Sequence, residues 1–286
     1  MLHHHHDTAT SALETGAFLP LLYSRSTAWI IAVLGGLIVG VWLFSTPSGL
    51  LGKADAIGYA VCHRITVRSF QVHDRPLPLC ARCTGTYLGV ITGLLTFAAQ
   101  GRLRAGRLPR IRILVVLLMG AVAYGVDGLN SYLSLFEAYS PIYQPTNTLR
   151  LITGYAFGLA MITVVAPVFN MMVWREPQPT TPLRSMKELA ALYAISALVI
   201  AAVLIQVPAL LIAFGLISAA GVLVMFGVVG SALFLTLTRH ENSATRWRDL
   251  VIPVLAGLVF AVSVIGAIDA VRYLFTGTWN GFTLPG

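Results

Sequence analysis

Uncharged apolar stretches of about twenty residues recur along the whole chain, and no other feature limits its fold so strongly. Inside a bilayer every backbone N–H and C=O must be bonded within the segment, so a run of that length crosses as a helix. Seven such runs are predicted to span, at residues 27–44, 79–99, 113–133, 148–173, 189–207, 209–238 and 250–275. Trp29 and Trp42 sit near the ends of the first, where aromatic residues anchor a span at the interface. The sixth is overlong and must tilt, kink or extend into water. Only 10% of the residues are charged, against roughly 25% in soluble domains. The expected fold is therefore an all-α polytopic transmembrane helical bundle, one membrane domain at 27–286 after a tail at 1–26. The histidine run at 3–6 belongs to that tail and is set aside from site reasoning.

The formal net charge of +8 does not imply nucleic acid, because no basic helix or basic–aromatic interleaving occurs outside the spans. In a membrane protein basic residues set orientation and meet anionic lipid. The loop after the second span carries Arg102, Arg104, Arg107, Arg110 and Arg112 without an acid. With that loop in the cytoplasm, twelve of the 19 Lys and Arg residues face inward, the N-terminus lies inside and the C-terminus outside. The loop at 45–78 then faces the extracytoplasmic side.

That loop and the start of the second span hold the stretch CHRITVRSFQVHDRPLPLCARCTG, which contains every cysteine in the chain, two histidines and four arginines. Cys80 and Cys83 form a C-x-x-C pair at the predicted start of a helix, where the helix dipole, the free N–H groups and Arg82 favour thiolate over thiol. With Cys62 and His63 they compose a Cys₃His set, a common zinc composition. His73 is an alternative fourth ligand, and iron an alternative metal. The same cysteines also suit thiol–disulfide exchange with a membrane quinone, or a disulfide that staples the loop. An odd number of cysteines fits metal or redox chemistry more easily than stapling.

Cys62-His63-Arg64, followed by the block from Pro78 to Tyr87 (PLCARCTGTY), resembles the signature of a prokaryotic integral membrane protein family, a domain of unknown function with a C-H…P-L-C-x-R-C-T-G motif. Asp127-Gly128-Leu129-Asn130 and the block from Thr146 to Gly154 resemble its further motifs. The resemblance covers about residues 59–158. It implies a multi-pass protein of the prokaryotic cytoplasmic membrane and favours His63 over His73, but it brings no activity.

Gly85, Gly89 and Gly93 form a small-residue face on the second span, the pattern of a close helix contact. Asp127 lies within the third span, with Asn130 and Ser131 on its face. A carboxylate at that depth is a functional candidate. Arg150 opens the fourth span beside Asn147, and Asp127–Arg150 is the expected ion pair. Asp269 and Arg272 are expected to pair within the seventh span at i, i+3. These groups predict a polar pocket among spans two, three, four and seven, lidded by residues 45–78. Spans five and six carry no charge and read as scaffold. Arg64, Arg68, Arg75 and Arg82 are either paired with acids or free to hold an anion such as a lipid phosphate.

Three functions fit these residues: a metal centre above an Asp/Arg pocket, a quinone-linked thiol–disulfide oxidoreductase, and a transporter or lipid-binding protein for an anionic small molecule. Against plain hydrolysis there is no H-E-x-x-H. A disulfide-generating relay would need a second C-x-x-C, and a repeat-built transporter an internal duplication.

Overall fold

A computed structural model describes residues 25–136 and 140–281. The tail with its histidine run lies outside the described residues, apart from the first residues of the opening helix.

Among the described residues the chain forms α1 (Arg25–Ser45), α2 (Gly49–Val61), α3 (Ala81–Ala99), α4 (Ile111–Leu133), α5 (Asn147–Val173), α6 (Met186–Leu204), α7 (Pro208–Thr238) and α8 (Val251–Thr276). All seven predicted spans are helices, with ends within three residues of the expected ones. Six of them, α1 and α4 to α8, are long and apolar enough to cross a membrane. The seventh, α3, is more polar, carrying Arg82 and four threonines in its 19 residues, and it packs between α5 and α7.

Two features of residues 45–78 were not anticipated. The segment is a built cap rather than a loop. Helix α2 occupies its first half, and Gly58 lets it lie directly on the carbonyl of Pro78, where any Cβ would collide. Tyr59 is fully buried, and its hydroxyl bonds Thr276 Oγ1 at 2.7 Å and the Thr278 carbonyl at 2.8 Å, fastening the cap to the end of α8. The second half is a 3-10 turn at Thr66–Arg68 and a hairpin of β1 (Gln71–Val72) and β2 (Arg75–Pro76). Its two turn residues, His73 and Asp74, both have positive φ, at 47° and 64°, as a two-residue hairpin of this twist requires.

The α3–α5 contact organises the bundle. A Cβ on Gly85 would meet the backbone of Leu151 and Tyr155, and one on Gly89 the backbone of Tyr155, Leu159 and Gly158. From the other side, Gly154 faces the Arg82 carbonyl and Gly158 that of Thr86. The expected glycine face is thus a backbone-to-backbone seam, answered by Gly154 and Gly158 of α5. The 31-residue α7 would be about 46 Å long, beyond the ~30 Å hydrocarbon core. It resolves its excess by extension: Leu235, near its end, packs with Val173, Trp174 and Ala244 in a separate cluster at the arginine-rich end.

Candidate metal centre and the buried charges beside it

Each cysteine is placed by a helix end. Cys62 caps α2 in an extended conformation, its N–H donating to the Gly58 carbonyl at 2.9 Å. Cys80 is the N-cap of α3, and Cys83 lies in its first turn. The close approach of α2 to Pro78 brings these ends together, and the three Sγ atoms lie within 4.8 Å of one another. All three are free thiols; Cys62 and Cys80 are buried. Two backbone N–H groups point at the Cys62 sulfur, from Cys80 at 3.3 Å and Arg64 at 3.5 Å. The Cys62 thiol is drawn well below its ordinary range, first because Cys80 and then Cys83 donate toward its sulfur, with burial opposing. An apolar shell of Ile57, Leu79, Ala219, Val222 and Ile265 surrounds the group, so the uncharged α7 supplies part of its wall.

Neither predicted histidine belongs to the group of possible metal ligands. His63 turns its Nδ1 back to accept the Ile65 N–H at 3.1 Å. Burial, and then the charges of Arg68, Arg82 and Arg150, push its protonation down, against the pull of Cys62. His73 stands exposed at the hairpin tip, where its positive φ serves the turn.

The buried charges are paired differently from expectation. Asp127, 1% exposed, does not pair with Arg150. Its Oδ2 accepts from Arg82, from Nη2 at 2.5 Å and Nε at 3.1 Å, and Arg82 Nη2 also reaches the Asp127 carbonyl. Tyr143 donates its hydroxyl to the other oxygen at 3.1 Å. Arg150 instead donates to Ser131 Oγ at 2.9 and 3.2 Å and to Asn147 Oδ1 at 2.9 Å. The seam of glycines sets this choice: it fixes Arg82, on the first turn of α3, between α5 and α4 and facing Asp127. Arg150 is held by a residue one turn earlier and by Ser131. Asn130 accepts the Ile142 N–H and donates to the Tyr143 carbonyl, both at 2.9 Å, so it holds the 140s loop that carries Tyr143. Losing the Tyr143 hydroxyl removes one of Asp127's donors while leaving Arg82 in place. Tyr143→Phe is therefore expected to cost about 2 kcal/mol, the range of one hydrogen bond to a charged group, measured as unfolding in mixed micelles.

Asp269 and Arg272 also bond elsewhere than to each other. Asp269 Oδ2 accepts from Trp42 Nε1 at 3.0 Å. Arg272 donates to the carbonyls of Tyr59 and Cys62, the latter at 2.8 Å, and lies 4.0 Å over the Tyr59 ring. Among the loop arginines, Arg64 and Arg75 both pair with Asp55 of α2, at 2.9 and 2.6 Å, an acid whose place beside them no motif or spacing signals. Arg68 is 8% exposed, lies within electrostatic reach of Arg82 and Cys80, and makes no side-chain hydrogen bond among the described residues. Asn147 Nδ2 donates to the Val67 carbonyl at 3.1 Å, tying the start of α5 to the 3-10 turn that carries Arg68.

These elements define a multi-pass helical membrane protein with a buried three-cysteine cluster at one end of the bundle and an Arg–Asp pair beside it. Residues 62–164, which hold the cysteines, Asp127 and Arg150, match the family described as "Predicted membrane protein (DUF2085)". An uncharacterized protein of Methanothermobacter thermautotrophicus is 32% identical over 108 residues, covering 37% of this chain and 86% of that protein. An uncharacterized protein of Methanocaldococcus jannaschii is 28% identical over 121 residues, 42% of this chain and 71% of that one. The chain belongs to this family of membrane proteins. No solved structure matches it.

Proposed function

We propose that Cys62, Cys80 and Cys83 hold a metal ion, zinc before iron, as a three-thiolate centre whose fourth position is open to water or to a small anionic ligand. The observation that carries this is the convergence of three free sulfurs within 4.8 Å, held by two helix ends. Around a tetrahedral zinc with Zn–S of about 2.3 Å, sulfurs stand ~3.8 Å apart, a separation that falls within that limit. The backbone N–H groups on Cys62 favour thiolate. Three thiolates and a dication carry one net negative charge, and the buried Arg68 offers a compensating positive one. Because His63 is turned to Ile65, the fourth ligand comes from outside the chain. An open position is the arrangement in which zinc activates water or binds a ligand instead of only stapling a fold. The arginine-rich segment lies at the opposite end of the bundle, which under the positive-inside rule directs the cysteine end outward.

The test is metal content by plasma mass spectrometry on detergent-purified protein, with thiols counted on the same sample. About one metal per chain is expected, with thiols titrating only after chelation and unfolding. Cys80→Ser and Cys83→Ser should each lose the metal, while His63→Ala should keep it. Absence of metal, with two thiols appearing only after reduction, would overturn the proposal in favour of disulfide chemistry. Loss of metal in His63→Ala would instead restore the imidazole as the fourth ligand.

A further inference from the structure

On the flank away from α4 and α5, α1 and α8 part to leave a groove of about 800 Å³. Its walls are mostly aliphatic, and Val41 and Leu274, both exposed, open it sideways between two spans to the lipid phase. At its end nearest α2 the polarity changes. Trp42 and Asp269 form the floor there, and Trp279 and Thr46 close the end.

Asp269 is the unusual member. It is 2% exposed and sits within a membrane-spanning helix, a costly position that marks a functional group by default. Only Oδ2 is satisfied, by Trp42. Oδ1 is buried without a hydrogen-bond partner among the described residues. The hydrogen bonds of Lys53 and of Arg272 Nη1 go elsewhere, while Arg272 stays within electrostatic reach of the carboxylate. Lys53 lies 5.9 Å from the Trp42 ring centroid and donates to Thr46 Oγ1 at 2.9 Å and to the Thr46 carbonyl at 3.0 Å, while Arg272 Nη1 is directed to the carbonyls of Tyr59 and Cys62. A buried acceptor with no donor calls for a donor from a ligand, and the greasy walls say what the remainder of that ligand is.

We infer that this groove binds a long-chain amphiphile whose head group donates a hydrogen bond, from a hydroxyl or an ammonium, to Asp269 Oδ1. The chain lies along the aliphatic walls and the head group lodges beside Trp42. An acceptor-only head group such as a carboxylate or phosphodiester would set lone pairs against lone pairs and is discriminated against. The site stands independently of the cysteine centre, although Arg272, one turn beyond Asp269, bonds the Cys62 carbonyl and so joins the two.

Photoreactive probes with identical diazirine-bearing tails and amine, alcohol or carboxylate heads test this on the full chain in detergent, with labelled peptides mapped by mass spectrometry. The amine and alcohol should label α1 and α8 around Trp42 and Asp269 saturably, about 5-fold or more above the carboxylate, the ratio of one hydrogen bond. Asp269→Leu should abolish that preference. Ala270→Phe, which fills the exposed mouth and leaves the carboxyl alone, should suppress all three. Equal labelling by the carboxylate, or a preference that survives Asp269→Leu, would reduce the groove to a notch filled by bulk lipid. If Asp269→Leu fails to fold, Ala270→Phe decides: unchanged labelling there overturns the site.

Discussion

Arg82→Met should destabilise the protein by about 3–5 kcal/mol, the cost of leaving one member of a buried ion pair without the other. Asp127 is 1% exposed and receives two of its hydrogen bonds from Arg82. Without the guanidinium, Tyr143 remains as its one strong donor, and Thr153 is at 3.4 Å. Methionine keeps the bulk of the arginine stem, so packing against Tyr124, which the guanidinium now approaches to 5.8 Å, changes little. What is lost is charge compensation. The measurement is apparent unfolding free energy in mixed micelles for Arg82→Met, Asp127→Leu and the pair together. Removing both charges should recover most of the loss, because a buried pair contributes little net stability over apolar groups of similar size. A double variant as unstable as Arg82→Met alone would mean that Arg82 acts by something other than its bond to Asp127.

The helices were legible because the bilayer imposes so strict a code: a run of about twenty uncharged apolar residues has few alternatives, and each predicted span became a helix. Helix α2 was missed because that code is silent about it. Six of its 13 residues are glycine or alanine, with Lys53 and Asp55 between them, a segment too short and too mixed to announce a helix outside the membrane. The depth of Asp127 and its shared face with Asn130 and Ser131 followed from 3.6-residue periodicity, and all three are buried. Its partner did not follow. Whether Arg82 or Arg150 faces Asp127 depends on how α3 is rotated against α5, which periodicity within one helix cannot state. The cysteines converge as their motif implied. His63 does not join them, since a residue adjacent to one ligand must turn its ring back through its own backbone to reach the same point, and here the Ile65 N–H takes it first.

An effect of the same size is expected from a residue that bears no chemistry. Gly158→Leu should cost about 3 kcal/mol or more, the upper range for overpacking a filled site, because the first added carbon meets the Thr86 backbone carbonyl rather than a side chain able to move. The neighbouring contacts leave no slack: Gly154 lies against the Arg82 carbonyl, Gly85 against Leu151 and Tyr155, and Gly89 against Tyr155 and Leu159. Relief requires the two helices to separate along their whole length. Separation would carry Thr153 away from Asp127, and Arg150 and Asn147 away from the cap that Asn147 now holds through the Val67 carbonyl. Cys62 belongs to α2, fastened to α8 through Tyr59 and Arg272, whereas Cys80 and Cys83 ride on α3. A shift of α3 against the cap therefore pulls the sulfurs apart, and metal content should fall together with thermal stability. Gly125→Leu is the control, since Gly125 of α4 has open space where a Cβ would go, and it should leave both unchanged. If Gly158→Leu lost metal while keeping its unfolding temperature, the seam would be tuning the cysteine centre without bearing the load of the fold.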